Sequence, residues 1–335
     1  MACAERPEVQ EEVLLLHYTC KRILGALPVF FGITLFVFFL INMAPATIAD
    51  AAGGGEASSA AVRAALEANL GLDKPLPLRY VLWLKSLVQG DLGLSYRTGQ
   101  PVVTMIAQRV VPSLILTGTG VAAAILLGIP LGVMAAWKPK SGWGKLAGGL
   151  TLLSFSAPGF FLCVLAIFLF SVVLGWLPAA GMYSAGGGGS VGDLLLHLIL
   201  PAGVVCLSSL GNLVRQTASA CGEVLGEDYI RTARAKGLPE WAVVWKHGFR
   251  TALLPVVTTI LNHIPHIIGG SLIVERIFGW PGMGSLLFTS VSSRDYTVIM
   301  GLTVVIALTV LATGILMDLV YRLADPGVGW GGEAR

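Results

Sequence analysis

The chain has 335 residues, 55% of them hydrophobic and only 12% charged, whereas a soluble domain carries about 25% charged residues, so the polar surface needed to stay in water is missing. Its net charge of +3, with no basic patch interleaved with aromatics, excludes nucleic acid as a partner. The five cysteines (Cys3, Cys20, Cys163, Cys206 and Cys221) are scattered without a Cys-x-x-Cys pair, which excludes a disulfide framework and a zinc site and leaves free thiols.

The apolar residues fall into blocks long enough to cross a bilayer, which takes roughly 20 residues as a helix. This predicts an all-α integral membrane protein with about six transmembrane helices and a large outer loop after the first. Residues 1–22 form an N-terminal segment ending in Lys21-Arg22, and span one follows at 23–41. It is too long for a signal-peptide core and reads as a retained anchor helix. The connection from Ala44 to about Val111 has a Gly53-Gly54-Gly55 break and then amphipathic patterns around 60–70 and 78–88. Span two covers 113–137. Span three, 146–174, contains Pro158-Gly159, which predicts a kink or tilt. Span four covers 194–214, span five 251–274 and span six 298–321, with a tail at 323–335. The domain organisation is thus 1–22, then 23–111 for the first helix and its outer loop, a core at 112–322, and the tail.

Lysine and arginine in the short loops set the orientation. The loop after span two carries Lys138, Lys140 and Lys145, and the loop after span four carries Arg215, Arg231, Arg234, Lys236, Lys246 and Arg250. The loop at 175–193 has no basic residue, and the last loop has only Arg276 and Arg294. The basic loops and both termini are therefore expected in the cytoplasm, and the Gly186–Gly189 run in an outer surface loop.

A transporter needs an energy source, and none is visible in this chain. The stretch Ser141-Gly142-Trp143-Gly144-Lys145-Leu146 lacks the first glycine and the hydroxyl of a phosphate-binding loop. There is no run of ionisable residues at mid-membrane depth, as a proton- or sodium-driven carrier would need. A stand-alone carrier or channel is the alternative from another class, and it lacks this signature. No nucleophile–base set, paired carboxylates or His-Glu-x-x-His is present, so no catalytic residue, cofactor or metal centre is expected.

His263 and His266 flank Pro265 in span five. They fit a pathway lining, even contact with a metal substrate, but neutral imidazoles facing other helices, with the proline shaping the helix, are the plainer reading. His197 is a weaker candidate. Glu275-Arg276 reads as an interfacial ion pair closing span five, and Asp318 with Arg322 as an i, i+4 helix pair.

The loop at 216–250 carries the clearest signal. Glu227-Asp228-Tyr229-Ile230-Arg231-Thr232-Ala233-Arg234-Ala235-Lys236-Gly237-Leu238 starts acidic and ends basic, as the helix dipole favours. Gly237 suits a left-handed cap and Pro239 forbids continuation. Glu240 to Phe249 then predicts a second short helix before Leu253-Leu254-Pro255. A cationic helix-turn-helix of this kind fits a groove in a cytoplasmic partner.

Tyr229 to Leu238, with Leu253-Leu254-Pro255, resembles the EAA loop of permeases from binding-protein-dependent ATP-binding cassette importers. Arg231-Thr232-Ala233 stands where Glu-Ala-Ala is usual, a departure common in the peptide/nickel branch. The resemblance continues through Leu70-Gly71-Leu72-Asp73-Lys74-Pro75-Leu76-Pro77, Gly90-Asp91-Leu92-Gly93, Gly128-Ile129-Pro130-Leu131-Gly132-Val133, Trp280-Pro281-Gly282-Met283-Gly284 and Arg294-Asp295-Tyr296 to Asp325-Pro326. Met43-Ala44-Pro45-Ala46-Thr47 departs from the branch's Pro-Gly-Asp-Pro-like segment. The resemblance implies the type I importer permease fold in the bacterial inner membrane. It also implies a second homologous permease, two ATPase subunits beneath the pair with Tyr229–Leu238 docking on an ATPase subunit, and an extracytoplasmic binding protein that delivers a dipeptide or oligopeptide. Nickel or a metal chelate is the alternative substrate.

Overall fold

The computed structural model describes residues 7–43, 74–184, 186 and 189–324, which are helical apart from their loops and an isolated bridge between Leu94 and Pro101. The glycine break at 53–55 and the amphipathic pattern at 60–70 lie outside the described residues. Five helices are long and apolar enough to span a membrane, or six if a sharply bent pair counts as one. They are α1 (Pro7–Asn42), α3 (Val102–Trp137), the pair α4 (Gly142–Ser156) and α5 (Gly159–Val173), α6 (Val191–Leu225), the segmented stretch Leu253–Ile277, and α13 (Tyr296–Ala324). Between them lie α2 (Leu76–Val88), the expected outer amphipathic helix, and α12 (Met283–Ser292).

Backbone chemistry explains where the spans break. Ala157 is extended, with φ −92° and ψ 123°, because the ring of the following proline excludes the helical region for the residue before it. The expected kink is therefore a corner: α4 and α5 meet at 109°. Span five is three short helices, α9 (Leu253–Leu261), α10 (Ile264–Gly269) and α11 (Leu272–Ile277). Pro265 sits in the first turn of α10, where its missing N–H costs least, and Gly270 ends that helix at φ +76°. α6 does not stop at Val214 as expected. It has no proline beyond Val214, runs through Gly222 to end at Gly226 and reaches roughly 52 Å, carrying the span on to the short helices of residues 228–249.

The chain forms two compact units, one of residues 106–289 and one of residues 1–105 with 290–335. In the 106–289 unit, α6 is the central post. Gly120, Ala124, Gly128 and Gly132 recur every fourth residue on α3, a stripe of small residues that lets helix backbones approach in a membrane. A Cβ on Gly132 would stand 2.6 Å from Thr217 Cβ and 2.9 Å from the Val214 carbonyl oxygen. On another face of α6, Gly211 donates its N–H to Ser154 Oγ of α4 at 3.3 Å. Cys163, Cys206 and Cys221 are buried free thiols.

In the other unit α1 packs along α13. Thr34 Oγ1 and Tyr80 Oη lie 2.9 Å apart, and the Tyr80 ring meets Phe38 edge-on and stacks on Trp83, which ties α2 to α1. The Asp318 carboxylate pairs with Arg22, distant in sequence; the side chain of Arg322, its expected helix partner, lies outside the described residues. Asp295 is buried and accepts from the Ser95 hydroxyl and the Tyr96 N–H, pinning the loop before α3 to the start of α13.

Candidate functional site

Below α6 the chain makes the expected helix-turn-helix. α7 (Asp228–Ala235) is short and strongly two-faced. Ile230 and Ala233, three residues apart, are buried against Val243, whereas Tyr229, Arg231, Thr232, Arg234, Ala235, Lys236, Gly237 and Leu238 are exposed. Eight of the ten predicted docking residues thus face outward and two hold the helix down. The Lys236 N–H bonds the Thr232 carbonyl at 3.1 Å and the Gly237 N–H bonds that of Arg234 at 2.9 Å. Gly237 itself sits at φ +77°, the left-handed cap that a glycine adopts without penalty.

After Pro239 comes α8, one α-helical turn at Glu240–Ala242 that widens into π-type turns over Val243–Phe249. Arg234 Nε donates to Glu240 Oε1 at 2.9 Å across the turn, and Arg231 pairs with Asp228 within α7 at 2.9 Å. Both pairs are solvent-exposed and contribute little to stability. The rigidity comes from the valines. Val243 packs with Ile230 and Ala233 of α7, while its neighbour Val244 packs with Val133 of α3 and with Ala220 and Cys221 of α6. Consecutive residues on different faces of α8 therefore join α7 to α3 and α6. Sequence reading missed both valines, and also missed Trp241 and Trp245, which are exposed four residues apart on α8. Aromatic side chains exposed at helical spacing are the signal that would have found the latter pair.

His263 and His266 lie at the break between α9 and α10, their ring centroids 6.5 Å apart. His266 is exposed and His263 half-buried, with its Nε2 enclosed and without a hydrogen-bond partner. Thr259, Asn262, His263 and His266 make a polar stripe at helical spacing in the least apolar of the single spans, whose mean hydropathy is 1.3 against 2.0 to 2.5 elsewhere. His197 is instead structural. It is buried, with Nδ1 2.9 Å from the Asp193 carbonyl, while the Asp193 carboxylate accepts from Ser184.

Glu275 is not an interfacial ion pair. Its side chain is fully buried, whereas neighbouring Arg276 points out and lies over the Phe288 ring at 4.8 Å. The carboxylate accepts from Ser113 Oγ of α3 at 2.7 Å and from the Ser285 N–H of α12 at 2.8 Å. The same Ser113 Oγ accepts from the Met283 N–H at 2.7 Å, and Trp280 Nε1 bonds the Pro112 carbonyl at 2.8 Å. Among the described residues, no group of three or more His, Cys, Asp or Glu side chains could hold a metal ion.

Residues 128–330 match the family described as "Binding-protein-dependent transport system inner membrane component", and residues 15–117 match its N-terminal companion. A protein of Brucella suis biovar 1 (strain 1330) that bears the name of a peptide permease is 41% identical over 94% of this chain and 99% of its own length. The oligopeptide transport system permease protein AppB of Bacillus subtilis (strain 168) is 39% identical over 93% of this chain and 98% of its own. The glutathione transport system permease protein GsiC of Escherichia coli (strain K12) is 37% identical over 94% and 99%. A multi-helix apolar chain, a cationic helix-turn-helix at the end of its central post, and matches that together cover residues 15–117 and 128–330 lead to one conclusion. The chain belongs to the family of inner membrane components of binding-protein-dependent transport systems.

Proposed function

We propose that this chain is one of two homologous permease subunits of an ATP-driven importer, that one of its two ATPase subunits docks on α7 and its turn, and that the cargo is a dipeptide or oligopeptide handed over by an extracytoplasmic binding protein. The observation that carries this reading is the α7–α8 unit. Its outer face offers Arg231, Arg234 and Lys236 with Tyr229, Leu238 and Trp241, and its inner face is bolted to α3 and α6 through Val243 and Val244. ATP binding and hydrolysis on the partners would move α7, and the valine pair would pass that movement to the spans. The partner must bind the two states unequally, because equal binding shifts nothing. The names of three relatives (peptide, oligopeptide and glutathione permeases) support a peptide cargo over nickel. His263 and His266 suit a pathway lining, since polar side chains exposed within a span, as Asn262 and His266 are, are costly against lipid and belong against water or protein.

The test is purification of the chain from its native membrane in mild detergent, followed by reconstitution of whatever accompanies it. A second permease, ATPase subunits and a binding protein that supports ATP-dependent peptide uptake are expected. Recovery of the chain alone, with uptake that persists without ATP, would return the stand-alone carrier.

A further inference from the structure

The Glu275 carboxylate is fully buried, and its oxygens accept from neutral donors on two other helices, Ser113 of α3 and the Ser285 N–H of α12. Ser113 is shared, because it donates to the carboxylate and accepts from the Met283 N–H. One carboxylate therefore caps the first turn of α12 twice, directly and through the serine, and ties that turn to α3. Charge-assisted hydrogen bonds of this kind are roughly twice as strong as neutral ones. The surrounding chain is shaped to admit the group. A Cβ on Gly282 would fall on the carboxylate, and one on Gly284 would stand 2.6 Å from Leu272 Cα. Trp280, fully buried, adds a second tie to α3 through the Pro112 carbonyl.

The placement of this clamp gives it a role. The chain passes between its two compact units only at 105/106 and 289/290, and each crossing lies inside a helix, α3 and α12 respectively. Ser113 sits roughly two helical turns from the first crossing and Ser285 roughly one turn from the second. We propose that Glu275 is a positioning residue of the transport cycle, locking α3 and α12 into one body so that movement delivered to residues 106–289 leaves through both crossings together. Bistable switching in proteins pivots on a few such fixed points. The inference rests on the importer reading and is indifferent to the cargo.

The experiment uses the complete importer in lipid vesicles, with its binding protein as purified from cells and a 15N-labelled peptide digest as probe. Basal ATP hydrolysis, its stimulation by the binding protein and peptide accumulation are measured per assembled complex. Glu275→Gln keeps the shape but turns an amide NH2 towards a donor, leaving one buried group unpaired. It is expected to keep basal hydrolysis and to lose stimulation about tenfold. Stimulation within about twofold of wild type per assembled complex, at any yield of complex, would overturn the proposal and leave Glu275 a structural residue. If Glu275→Gln does not assemble, Ser113→Ala decides, since it keeps the carboxylate and removes the shared hydroxyl. Reduced stimulation in that variant supports the clamp and unchanged stimulation overturns it. A wild-type complex that responds to its binding protein yet accumulates no peptide would sink the peptide reading, with the clamp still judged by stimulation.

Discussion

Gly237 holds φ +77° with nothing within 4 Å of the place a Cβ would occupy, so a side chain there would be strained without clashing. For a β-branched residue the left-handed conformation costs about 1–2 kcal/mol, enough to redirect the turn and too little to unfold a membrane bundle. Gly237→Val is accordingly expected to insert at wild-type levels while peptide uptake per complex falls severalfold. Uptake and membrane content measured side by side check this, and wild-type uptake would refute the coupling role of α7. The turn was legible because a glycine followed by a proline after a charged helix has one common outcome. Glu275 was not. Its neighbour Arg276 suggested a pair, yet adjacent residues on a helix face different ways, and a geometric reading would have discarded the pairing. Its real partners, Ser113 and Ser285, are ordinary serines that only the fold brings together. Asp318 likewise pairs with Arg22, at the other end of the chain, a contact that no local pattern announces.

At the scale of elements, hydropathy located every span but misjudged how they end. Apolar content says nothing about Ala157 being forced extended before Pro158, and so a kink was expected where a 109° corner stands. α6 overran its apolar stretch because residues 215–225 are competent helix formers even after the hydropathy falls. Of the Gly120–Gly132 stripe, only the Gly128–Val133 end entered the sequence reading, as family likeness, although the four-residue spacing is a packing signal in its own right. It carries a direct prediction. A Cβ at Gly132 would meet the Val214 carbonyl, a backbone atom that cannot rotate away, whereas a Cβ at Gly148 of α4 meets nothing within 4 Å. Gly132→Val is expected to destabilise the α3–α6 contact by about 1–3 kcal/mol, the usual cost of overpacking, and Gly148→Val to leave it intact. Thermal melting of the detergent-solubilised protein compares the two, and equal melting temperatures would contradict the close approach.

Over the whole molecule, orientation is a property that the helices themselves do not encode, since a bundle inserted upside down keeps all its contacts. The charges in the loops decide it. Lys138, Lys140 and Lys145 precede and begin α4, and a further cluster from Arg231 to Arg250 occupies α7 and α8, while 175–193 carries no basic residue. Basic residues in short loops stay on the cytoplasmic side, so Lys140 and Lys236 should lie inside and Gly189 outside. In a background with the five native cysteines replaced, single cysteines at 140, 189 and 236 read this directly with a membrane-impermeant maleimide. The cysteine at 189 should react in intact cells, and those at 140 and 236 only after permeabilisation. The same background tests the span-five stripe. Cysteines at 263 and 266 should react if the break between α9 and α10 borders water and stay silent if it faces hydrocarbon, where thiolate formation is suppressed. Protection of those two positions when the importer is supplied with peptide and its binding protein would place them in the pathway. Labelling at 189 only after permeabilisation would invert the protein, put α7 beyond the reach of any cytoplasmic ATPase, and remove the physical basis for the coupling proposed here.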